Sequence, residues 1–237
     1  MYADEKIDKG LIFDNFIKNQ KLLTDINAWR DMFFKDTYSC ILSECEDIVE
    51  DENFLDVKDI DEPSNIQQKL IKEILTNLGL QDSENDFDKF EYWTHIHSNE
   101  PDVVVGERVI EVSDSLTWHQ NKDEKLFRKK FKLKHPDLSL IFWPINQSVE
   151  GGDLEISLDD KSDYEQIYDP YDMIEDEDDD GFFYDKSVII KPKYNRLVVM
   201  NPAKWHRVCE VKNGIRWTFV IDIWGLNKEI KKEVKND

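Results

Sequence analysis

The fold class is decided by residues 197–224, which read LVVMNPAKWHRVCEVKNGIRWTFVIDIW. Three short tracts rich in apolar residues, at 197–200, 206–211 and 217–224, are separated by turn signals such as Asn213-Gly214. Short strands with turns between them are typical of an all-β sandwich or barrel. This stretch therefore predicts a two-sheet jelly roll.

The same pattern extends upstream to Phe90. Further strand-like tracts lie at residues 90–97, 103–105, 109–112, 116–119, 138–143, 153–157 and 188–190. The second and third of these tracts flank Gly106 and are predicted to form a hairpin. We therefore predict that residues 90–226 form the β core of a single domain spanning residues 1–237.

Residues 1–89 are predicted to be helical and to support this core. Apolar residues recur at roughly helical spacing in the first part of this region: Leu11, Ile12, Phe16, Leu22 and Leu23. A second apolar stripe has the same spacing: Ile66, Leu70, Ile74 and Leu78. Ser64 and Gln67 have the form of a capping box, and Gly79 stands where this helix would end. The stripe predicts a helix packed on the body of the domain rather than a partner surface.

The chain is strongly acidic. Its 237 residues include 52 acidic and 31 basic ones, which gives a formal net charge of −21. Such a charge repels nucleic-acid phosphates, so we predict no nucleic-acid partner, and it suits a cationic one. A basic segment at 125–134 and an acidic insert at 159–185 interrupt the strands. The acidic insert is interpreted as a solvated loop, with attraction of a cationic substrate as the functional alternative.

The cysteines and apolar tracts bear on the compartment. Cys40, Cys45 and Cys209 show neither metal-ligand spacing nor a disulfide framework, which is typical of a reducing, cytoplasmic location. The charged N-terminal residues are not followed by the apolar segment of a signal peptide. The longest apolar tracts are far shorter than a membrane span of roughly 20 residues. We expect an intracellular monomer or homodimer with no membrane partner.

Two histidines and one arginine are the candidate site residues. His119 and Asn121 are two positions apart on a predicted strand and therefore point to the same face. His206 begins a later strand, and the Asn213-Gly214 turn predicts a hairpin that directs Arg216 into the same interior. Two histidines and a short carboxylate, with positions left open, form the facial triad of non-haem iron(II). A buried arginine can clamp a dicarboxylate through paired hydrogen bonds.

These residues, in this order, resemble the 2-oxoglutarate/iron(II)-dependent oxygenases, on their prolyl-4-hydroxylase-like branch. The family's pattern has a His-x-Asp, a strand, a Gly-Gly turn, a proline-containing segment, a distal histidine and an Arg-x-Ser/Thr. The matching tracts, which span a little under half of the chain, are Trp118 to Asn121, Leu140 to Trp143, Gly151 to Leu154, Pro192 to Val199, Trp205 to Val208 and Gly214 to Thr218. The resemblance implies a double-stranded β-helix core flanked by helices.

The resemblance also implies an enzyme and its cofactors. Iron(II) would be held by the two histidines named above and the residue at position 121. 2-Oxoglutarate would be bound by Arg216 with Thr218, and Trp143 would shape that pocket. The implied reaction is a dioxygenase reaction that couples conversion of 2-oxoglutarate to succinate and carbon dioxide with hydroxylation of a C–H bond. The substrate would be a protein side chain or a small molecule, and ascorbate would be an accessory reductant.

The sequence departs from the family at the carboxylate. Asn121 stands at the family's aspartate position, and its side chain is neutral, although its carbonyl oxygen can still bind a metal. Asp123 is the candidate substitute ligand, with Glu124 beside it, but on a straight strand Asp123 would lie roughly 13 Å from His119. It could serve only if the chain turns back. The alternatives are an asparagine-ligated metal, a recruited acidic residue, a weak site, or a site that has lost its metal.

Two other functions stay open at this point. The first is a metal-depleted oxygenase fold that serves as a binding module, and Asn121 motivates it. The second is a cupin-type metalloprotein that uses His95 and His97, with Glu100 following. A simpler interpretation makes these two histidines polar residues on a strand near the edge of the domain.

Arg216 and His135 each have an interpretation that is purely structural. Arg216 could pair with a carboxylate such as Asp222 instead of a co-substrate. His135, which precedes Pro136, is interpreted as an exposed loop residue.

Overall fold

The computed structural model describes residues 7–34, 54–56, 63–80, 89–123, 126–127, 130, 132–158 and 186–226. The acidic insert at 159–185 lies outside these residues, as do Cys40, Cys45, Glu124 and part of the basic segment. The helices are α1 (Gln20–Ala28), α2 (Arg30–Phe33) and α3 (Ile66–Asn77). Within the described ranges, no helix has the length and apolar character needed to cross a membrane.

The strands account for most of the described chain. In chain order they are β1 (Leu11–Asp14), β2 (Phe54–Asp56), β3 (Lys89–Ser98), β4 (Asp102–Val105), β5 (Arg108–Glu111), β6 (Leu116–His119), β7 (Leu138–Phe142), β8 (Glu150–Gly151), β9 (Leu154–Ser157), β10 (Ser187–Ile190), β11 (Arg196–Met200), β12 (His206–Val208), β13 (Val211–Asn213) and β14 (Ile215–Trp224). The predicted strands from Phe90 onward are confirmed, including the hairpin of β4 and β5 around Gly106.

Two antiparallel sheets form the core. The larger sheet has six strands in the order β1-β11-β7-β14-β3-β2, and the smaller sheet has four in the order β10-β9-β12-β6. Within the smaller sheet β12 lies between β6 and β9, and within the larger sheet β14 lies between β7 and β3. This arrangement is the jelly roll of a double-stranded β-helix, so the predicted fold class is confirmed.

Apolar side chains fill both faces of the larger sheet. The cluster between the two sheets draws on strands from each of them: Ile141, Trp143, Leu154, Ile156, Ile190, Val198, Met200 and Val220. The opposite face of the larger sheet packs against the helices. Because side chains alternate along a strand, Arg216, Thr218 and Asp222 share the inward face of β14 with Val220. The space between the two sheets is therefore lined by apolar side chains at its centre and by polar side chains along β14.

The predicted helix over residues 11–23 is wrong in its first half. Residues Leu11–Asp14 form β1, which pairs with β11 at the edge of the larger sheet, and α1 begins only at Gln20. The side chain of Asp14 accepts a 2.6 Å hydrogen bond from Arg196, which is 182 residues away in sequence. Pairing with so distant a strand outweighs the local helical spacing, because tertiary contacts override intrinsic propensity.

Helix α3 confirms the second predicted helix but begins at a different cap. The N-cap is Asn65, whose Oδ1 accepts from the backbone N–H of Gln68 at 2.8 Å. The side chain of Gln68 accepts in turn from the backbone N–H of Ser64. The predicted capping box of Ser64 and Gln67 is therefore shifted by one residue toward the C-terminus. The side chain of Gln67 instead donates to the backbone carbonyl of Phe33.

The predicted hairpin between His206 and Arg216 is also wrong. β12 belongs to the smaller sheet and β14 to the larger one, and β13 between them pairs with β8. The chain therefore crosses from one sheet to the other at this point. As a result, the inward faces of β12 and β14 lie on opposite sides of the same interior.

Candidate functional site

His119 and His206 lie side by side in the smaller sheet. They are direct partners in the ladder of β6 and β12, and their ring centroids are 4.2 Å apart. On its other side His206 is the partner of Ile156, which belongs to the interior apolar cluster. Since cross-strand partners share a face, both histidines project into the interior. The structure therefore brings the two candidate metal-binding histidines together.

Backbone hydrogen bonds fix the orientation of both rings. Nδ1 of His119 lies 2.8 Å from the carbonyl oxygen of Thr117, and Nδ1 of His206 lies 2.9 Å from that of Lys204. A carbonyl oxygen only accepts, so in each neutral ring Nδ1 carries the hydrogen and Nε2 the lone pair. Burial, and then the neighbouring His119, lower the pKa of His206 well below its ordinary value. In its neutral form, an imidazole held in this way can bind a metal ion through Nε2.

Arg216 is buried without a carboxylate partner. Its Nε donates to the carbonyl of Gly152 at 2.8 Å, and its Nη1 donates to Oγ1 of Thr218 at 2.5 Å. Nowhere in the described chain does an acidic side chain form an ion pair with it, and the alternative pairing with Asp222 is wrong. Burial lowers the pKa of this guanidinium to about 9. Asp153 acts on the guanidinium at longer range and raises this pKa, but no described carboxylate lies within ion-pair distance. A buried cation of this kind is costly, so the position suits an anionic ligand.

Two further buried nitrogen atoms near Arg216 have no hydrogen-bond partner in the structure: Nδ1 of His97 and Nε1 of Trp143. The Trp143 ring faces the guanidinium, with Cζ of Arg216 5.6 Å from the ring centroid. His97 is the direct partner of Arg216 in the ladder of β3 and β14. Buried polar atoms normally find a partner. Together with a guanidinium that has no ion pair, these two atoms mark a place for a polar, negatively charged ligand.

A cavity of about 300 Å³ adjoins Arg216. Trp143, Tyr194 and Trp217 form part of its wall, whereas His119 and His206 are not among its lining residues. The cavity therefore contacts the arginine but not the two histidines. Its volume is at the lower end of the range for small-molecule sites.

Gly152 makes room for the arginine side chain, and Gly151 makes room for the neighbouring backbone. Gly152 has φ +66°, and a Cβ there would lie 2.9 Å from Cδ of Arg216 and 3.0 Å from Cγ2 of Val211. Gly151 has φ +77°, and its Cβ would lie 2.2 Å from the carbonyl oxygen of Glu210. Only glycine fits both the backbone conformation and the space at these positions.

The interpretation of His95 and His97 as peripheral polar residues is wrong. His97 is 3% exposed, and the two rings stack with centroids 5.7 Å apart. On β14 their partners are Thr218 and Arg216, so both histidines face the interior. Burial first, and Arg216 second, lower the pKa of His95 to about 3. Glu100 is exposed beyond the end of β3, so the structure does not place it with the two rings.

Asn121 follows β6 and belongs to a buried polar cluster. Its Nδ2 donates to Oγ of Ser139 at 3.0 Å and to Oδ1 of Asp222 at 3.2 Å, and Ser139 donates to the same carboxyl oxygen. Burial is the main reason that the pKa of Asp222 rises to about 8, against a lowering by the hydrogen bond from Ser139. Nδ1 of His135 donates to the backbone carbonyl of Asn121 at 2.7 Å. His135 is thus half-buried, and its interpretation as an exposed loop residue is wrong.

Asp123 caps a short helical turn. Its Oδ1 accepts from the backbone N–H of Leu126 at 2.7 Å, and its carbonyl accepts from that of Phe127 at 2.9 Å. The chain does leave the strand after His119, as a substitute ligand would require, but this carboxylate is engaged by the turn. In the part of the chain that the structure describes, no group of three His, Cys, Asp or Glu side chains could hold a metal. Asn121 therefore stays a predicted third donor, and the alternative Glu124 lies outside the described residues.

Ser139 and the position of Asp222 are the features of the site that sequence reasoning missed. Asp222 is the one charged residue in the tract 217–224, and it has the same parity as Arg216 and Thr218. That parity indicates an inward side chain. No comparable signal marks Ser139, because a small hydroxyl residue is common in strands.

Comparisons with known proteins bear on the fold. No protein-family model matches the chain, and neither does any curated protein. A prolyl-4-hydroxylase from Pseudomonas putida is 10% identical, with 96% of this chain and 94% of that chain covered, at a TM-score of 0.50. A prolyl hydroxylase from Trichoplax adhaerens, in complex with a hypoxia inducible factor oxygen degradation domain peptide fragment, is 9% identical, with coverages of 100% and 92%, at 0.51. The non-heme monooxygenase ThoJ, as a nickel complex, is 10% identical, with coverages of 94% and 77%, at 0.50.

At such low identity these likenesses establish the architecture. The chain shares the fold of these prolyl hydroxylases over nearly its whole length. The resemblance seen in the sequence is thus confirmed at the level of the fold.

Proposed function

We propose that this protein is an iron(II)- and 2-oxoglutarate-dependent dioxygenase that hydroxylates a C–H bond. One observation carries the proposal. The interior of the β-helix holds two side-by-side histidines that each direct Nδ1 to a backbone carbonyl, and also a buried arginine that forms no ion pair with an acidic side chain of the described residues. A metal-binding pair and an anion-binding cation are the two fixed elements that such a reaction needs.

The metal would be held by Nε2 of His119, Nε2 of His206 and Oδ1 of Asn121. The residues fit a metal because both histidines already direct Nδ1 to a backbone carbonyl, which leaves Nε2 as the ring atom with the lone pair. Asp123 is the less suitable third ligand, since its carboxylate caps the turn at Leu126. When bound, iron(II) supplies the oxidative chemistry that couples decarboxylation of 2-oxoglutarate to hydroxylation of the substrate.

The co-substrate would be bound at the arginine end of the interior. The guanidinium of Arg216 would pair with the far carboxylate of 2-oxoglutarate, and Thr218, which already accepts from Nη1, holds the guanidinium in place. Trp143 would cover one face of this pocket, since its ring faces Cζ of Arg216. These residues bind and orient the co-substrate and exclude water from it. Ascorbate would be an accessory reductant in such a reaction.

The substrate would be a protein side chain or a small molecule. The similar Trichoplax protein is bound to a peptide fragment, which supports a peptide substrate for this chain as well. The net charge of −21 favours a cationic peptide.

Two rival functions depend on separate observations. Position 121 carries an asparagine where the family has an aspartate, and this favours a metal-free binding module. The interior position of His95 and His97 keeps a cupin-type site in view, although no third acidic, histidine or cysteine ligand joins them within the described ranges. Metal binding by variants at His206 and His97 distinguishes the proposed dioxygenase from both rival functions.

An anaerobic titration with iron(II) and 2-oxoglutarate tests the proposal. The expected result is a weak visible charge-transfer band that requires both additions and is lost in His206→Ala and in Arg216→Ala. Arg108→Ala, at an exposed position on β5, is the matched control and should keep the band. No metal uptake by the unaltered protein would contradict the proposal and favour the binding module. Metal loading that survives His206→Ala but not His97→Ala would favour the cupin-type site.

A further inference from the structure

The ladder between β6 and β12 is irregular next to His119. The residues of β12 that pair in this ladder are two positions apart, but their partners on β6, His119 and Leu116, are three positions apart. Thr117 and Trp118 therefore both lie opposite Arg207. Two residues that face one form a β-bulge, which is common at sheet edges and next to active sites, where it re-aims a side chain. Within the described chain β6 ends the strand order of the smaller sheet, so this bulge lies on an edge strand beside a candidate metal ligand.

A backbone carbonyl of the bulge orients the ring of His119. The carbonyl oxygen of Thr117 lies 2.8 Å from Nδ1 of His119. This contact places the hydrogen of the neutral ring on Nδ1 and leaves the lone pair on Nε2. The corresponding contact of His206 is with the carbonyl of Lys204, which precedes β12 and is not part of the bulge. The orientation of His119, unlike that of His206, therefore depends on the shape of the bulge.

On the outer face of the smaller sheet, side chains from all four strands contact one another. Nε of Arg207 on β12 donates to Oε2 of Glu155 on β9 at 2.8 Å, and Ser187 on β10 donates to Oε1 of Glu155 at 2.5 Å. On the other side, Cζ of Arg207 lies 4.8 Å from the ring centroid of Trp118 on β6. These four residues are called the outer row. The outer row ends on a residue of the bulge.

The guanidinium of Arg207 is suited to fix the bulge from outside. Arg207 points away from the interior because His206, its neighbour on the strand, points inward. A guanidinium is planar, so it can donate to a carboxylate and stack on an aromatic ring at the same time. Glu155 is only 9% exposed, so its pairing with Arg207 is less screened by water than a surface ion pair. Because Trp118 lies between Thr117 and His119 in the chain, a shift of Trp118 would move both the carbonyl and the ring.

We propose that Arg207, Glu155 and Trp118 are positioning residues for His119. They fix the bulge from the outer face, the bulge fixes the carbonyl of Thr117, and this carbonyl keeps the hydrogen of the ring on Nδ1. Nε2 of His119 is thereby ready to bind a metal, although no residue of the outer row touches that metal. The inference rests on the proposed function where it makes His119 a metal ligand, but the effect on the ring is measurable without any metal.

Nitrogen-15 NMR of the histidine rings tests the inference, because it shows which ring nitrogen carries the hydrogen. In the metal-free protein at about pH 8, where an ordinary histidine is neutral, His119 should show a single Nδ1–H form. Trp118→Leu removes the aromatic face but leaves Arg207 paired with Glu155, and it should give a mixture of Nδ1–H and Nε2–H forms. Trp118→Phe retains an aromatic ring and should keep the single form. His206 should keep its Nδ1–H form in every variant.

A second variant covers the case in which Trp118→Leu folds poorly. Glu155→Gln/Arg207→Met removes both charges together, so no buried charge is left unpaired. It should give the same mixture of ring forms. Asp14→Asn/Arg196→Met is the matched control, since it removes the ion pair between β1 and β11, and it should keep the single form. Circular dichroism and urea unfolding identify the variants that fold.

Cobalt(II) titration, followed by visible absorption, separates this inference from the proposed function. Variants with mixed ring forms should bind cobalt(II) about 10- to 100-fold more weakly, the range found when groups that support metal ligands are changed. A single Nδ1–H form of His119 in folded Trp118→Leu or in the folded Glu155/Arg207 double variant overturns the inference, as does unchanged cobalt(II) affinity despite mixed forms. If the unaltered protein binds no cobalt(II), the metal centre of the proposed function fails, whereas the ring forms still decide whether the outer row positions His119.

Discussion

Arg216 lies directly opposite His97 in the ladder of β3 and β14, and no acidic side chain of the described residues lies within ion-pair distance of the guanidinium. Burial first, and the guanidinium second, lower the pKa of His97 well below its ordinary value. The ring is therefore neutral, and its buried Nδ1 has no hydrogen-bond partner in the structure. A neutral imidazole beside a desolvated guanidinium is well placed to bind the same anion.

Substitution of His97 should change stability and co-substrate binding in opposite directions. His97→Leu removes a buried atom that has no partner, so the ligand-free protein should gain about 1 kcal/mol of unfolding free energy. The same change should weaken 2-oxoglutarate binding roughly tenfold, since one hydrogen bond to a charged group is lost. Urea unfolding and calorimetric titration with the metal present measure the two effects. A loss of stability together with unchanged 2-oxoglutarate affinity would contradict this assignment.

Replacement of Arg216 by lysine should show that the shape of the cation matters as well as its charge. Lysine keeps the positive charge but cannot donate both to Gly152 and to a carboxylate with the planar geometry of a guanidinium. We expect 2-oxoglutarate affinity to fall about 10- to 100-fold, equivalent to about 1.4 to 2.8 kcal/mol. In the unaltered protein, 2-oxoglutarate at 100 times its Kd should add about 2.7 kcal/mol to the unfolding free energy. Equal stabilisation of both proteins at the same concentration would refute the prediction.

Gly152→Ala should weaken 2-oxoglutarate binding, whereas the same change at a glycine far from Arg216 should not. A Cβ at this position would meet Cδ of Arg216 at 2.9 Å, so the arginine must move. Gly79 is a matched control, since it has a similar φ of +75° but nothing within 4 Å of its Cβ. Both variants should lose about 1 kcal/mol from backbone strain. Only Gly152→Ala should lose 2-oxoglutarate affinity, as judged by calorimetric titration.

The edge strand β1 should become less stable in acid. Hydrogen bonds from Arg196 and Lys193 hold the pKa of Asp14 well below its ordinary value. A carboxylate with a lowered pKa stabilises the folded state above its unfolded-state pKa, and this contribution is lost as the pH falls. Unfolding free energy should therefore decline more steeply below about pH 4 in the unaltered protein than in Asp14→Asn.

The exposed pair of Lys21 and Asp25 offers a control for this pH effect. Asp25→Asn should change the pH profile little, because a solvated pair within one helix contributes little to stability. Asp14 is itself partly exposed, so salt should reduce the difference between the unaltered protein and Asp14→Asn. A pH profile that is identical in Asp14→Asn and the unaltered protein would show that this ion pair does not stabilise β1.

The strands were predictable because alternation and turn signals are local. Residues 116–119 and 217–224 could be assigned from their own composition, and the order of His119, His206 and Arg216 indicated the architecture. The edge pairing of β1 with β11 could not be assigned, because helical spacing in residues 11–23 was the only local signal. The partner strand that decides the outcome begins at Arg196 and is visible only in three dimensions.

The polar interior was harder to predict for a similar reason. The burial of a histidine depends on which strands surround it in three dimensions. His97 is buried because its strand, β3, pairs with β14 inside the larger sheet. Likewise, His135 is half-buried because its ring meets the backbone of Asn121 at the start of the loop after β6. The even spacing of Asp222 from Arg216 could have indicated an inward side chain, but only the structure shows that its partners are Asn121 and Ser139 instead of Arg216.

The contact between Asn121 and Asp222 joins residues 101 positions apart, and the hydrogen bond from Arg216 to Gly152 spans 64. Contacts of such separation require long loops to close, and folds rich in them form slowly. The site is therefore assembled together with the β-helix and is not a local loop that could form early. A metal ion retained here should slow global unfolding, and its release should report the moment at which the two sheets separate.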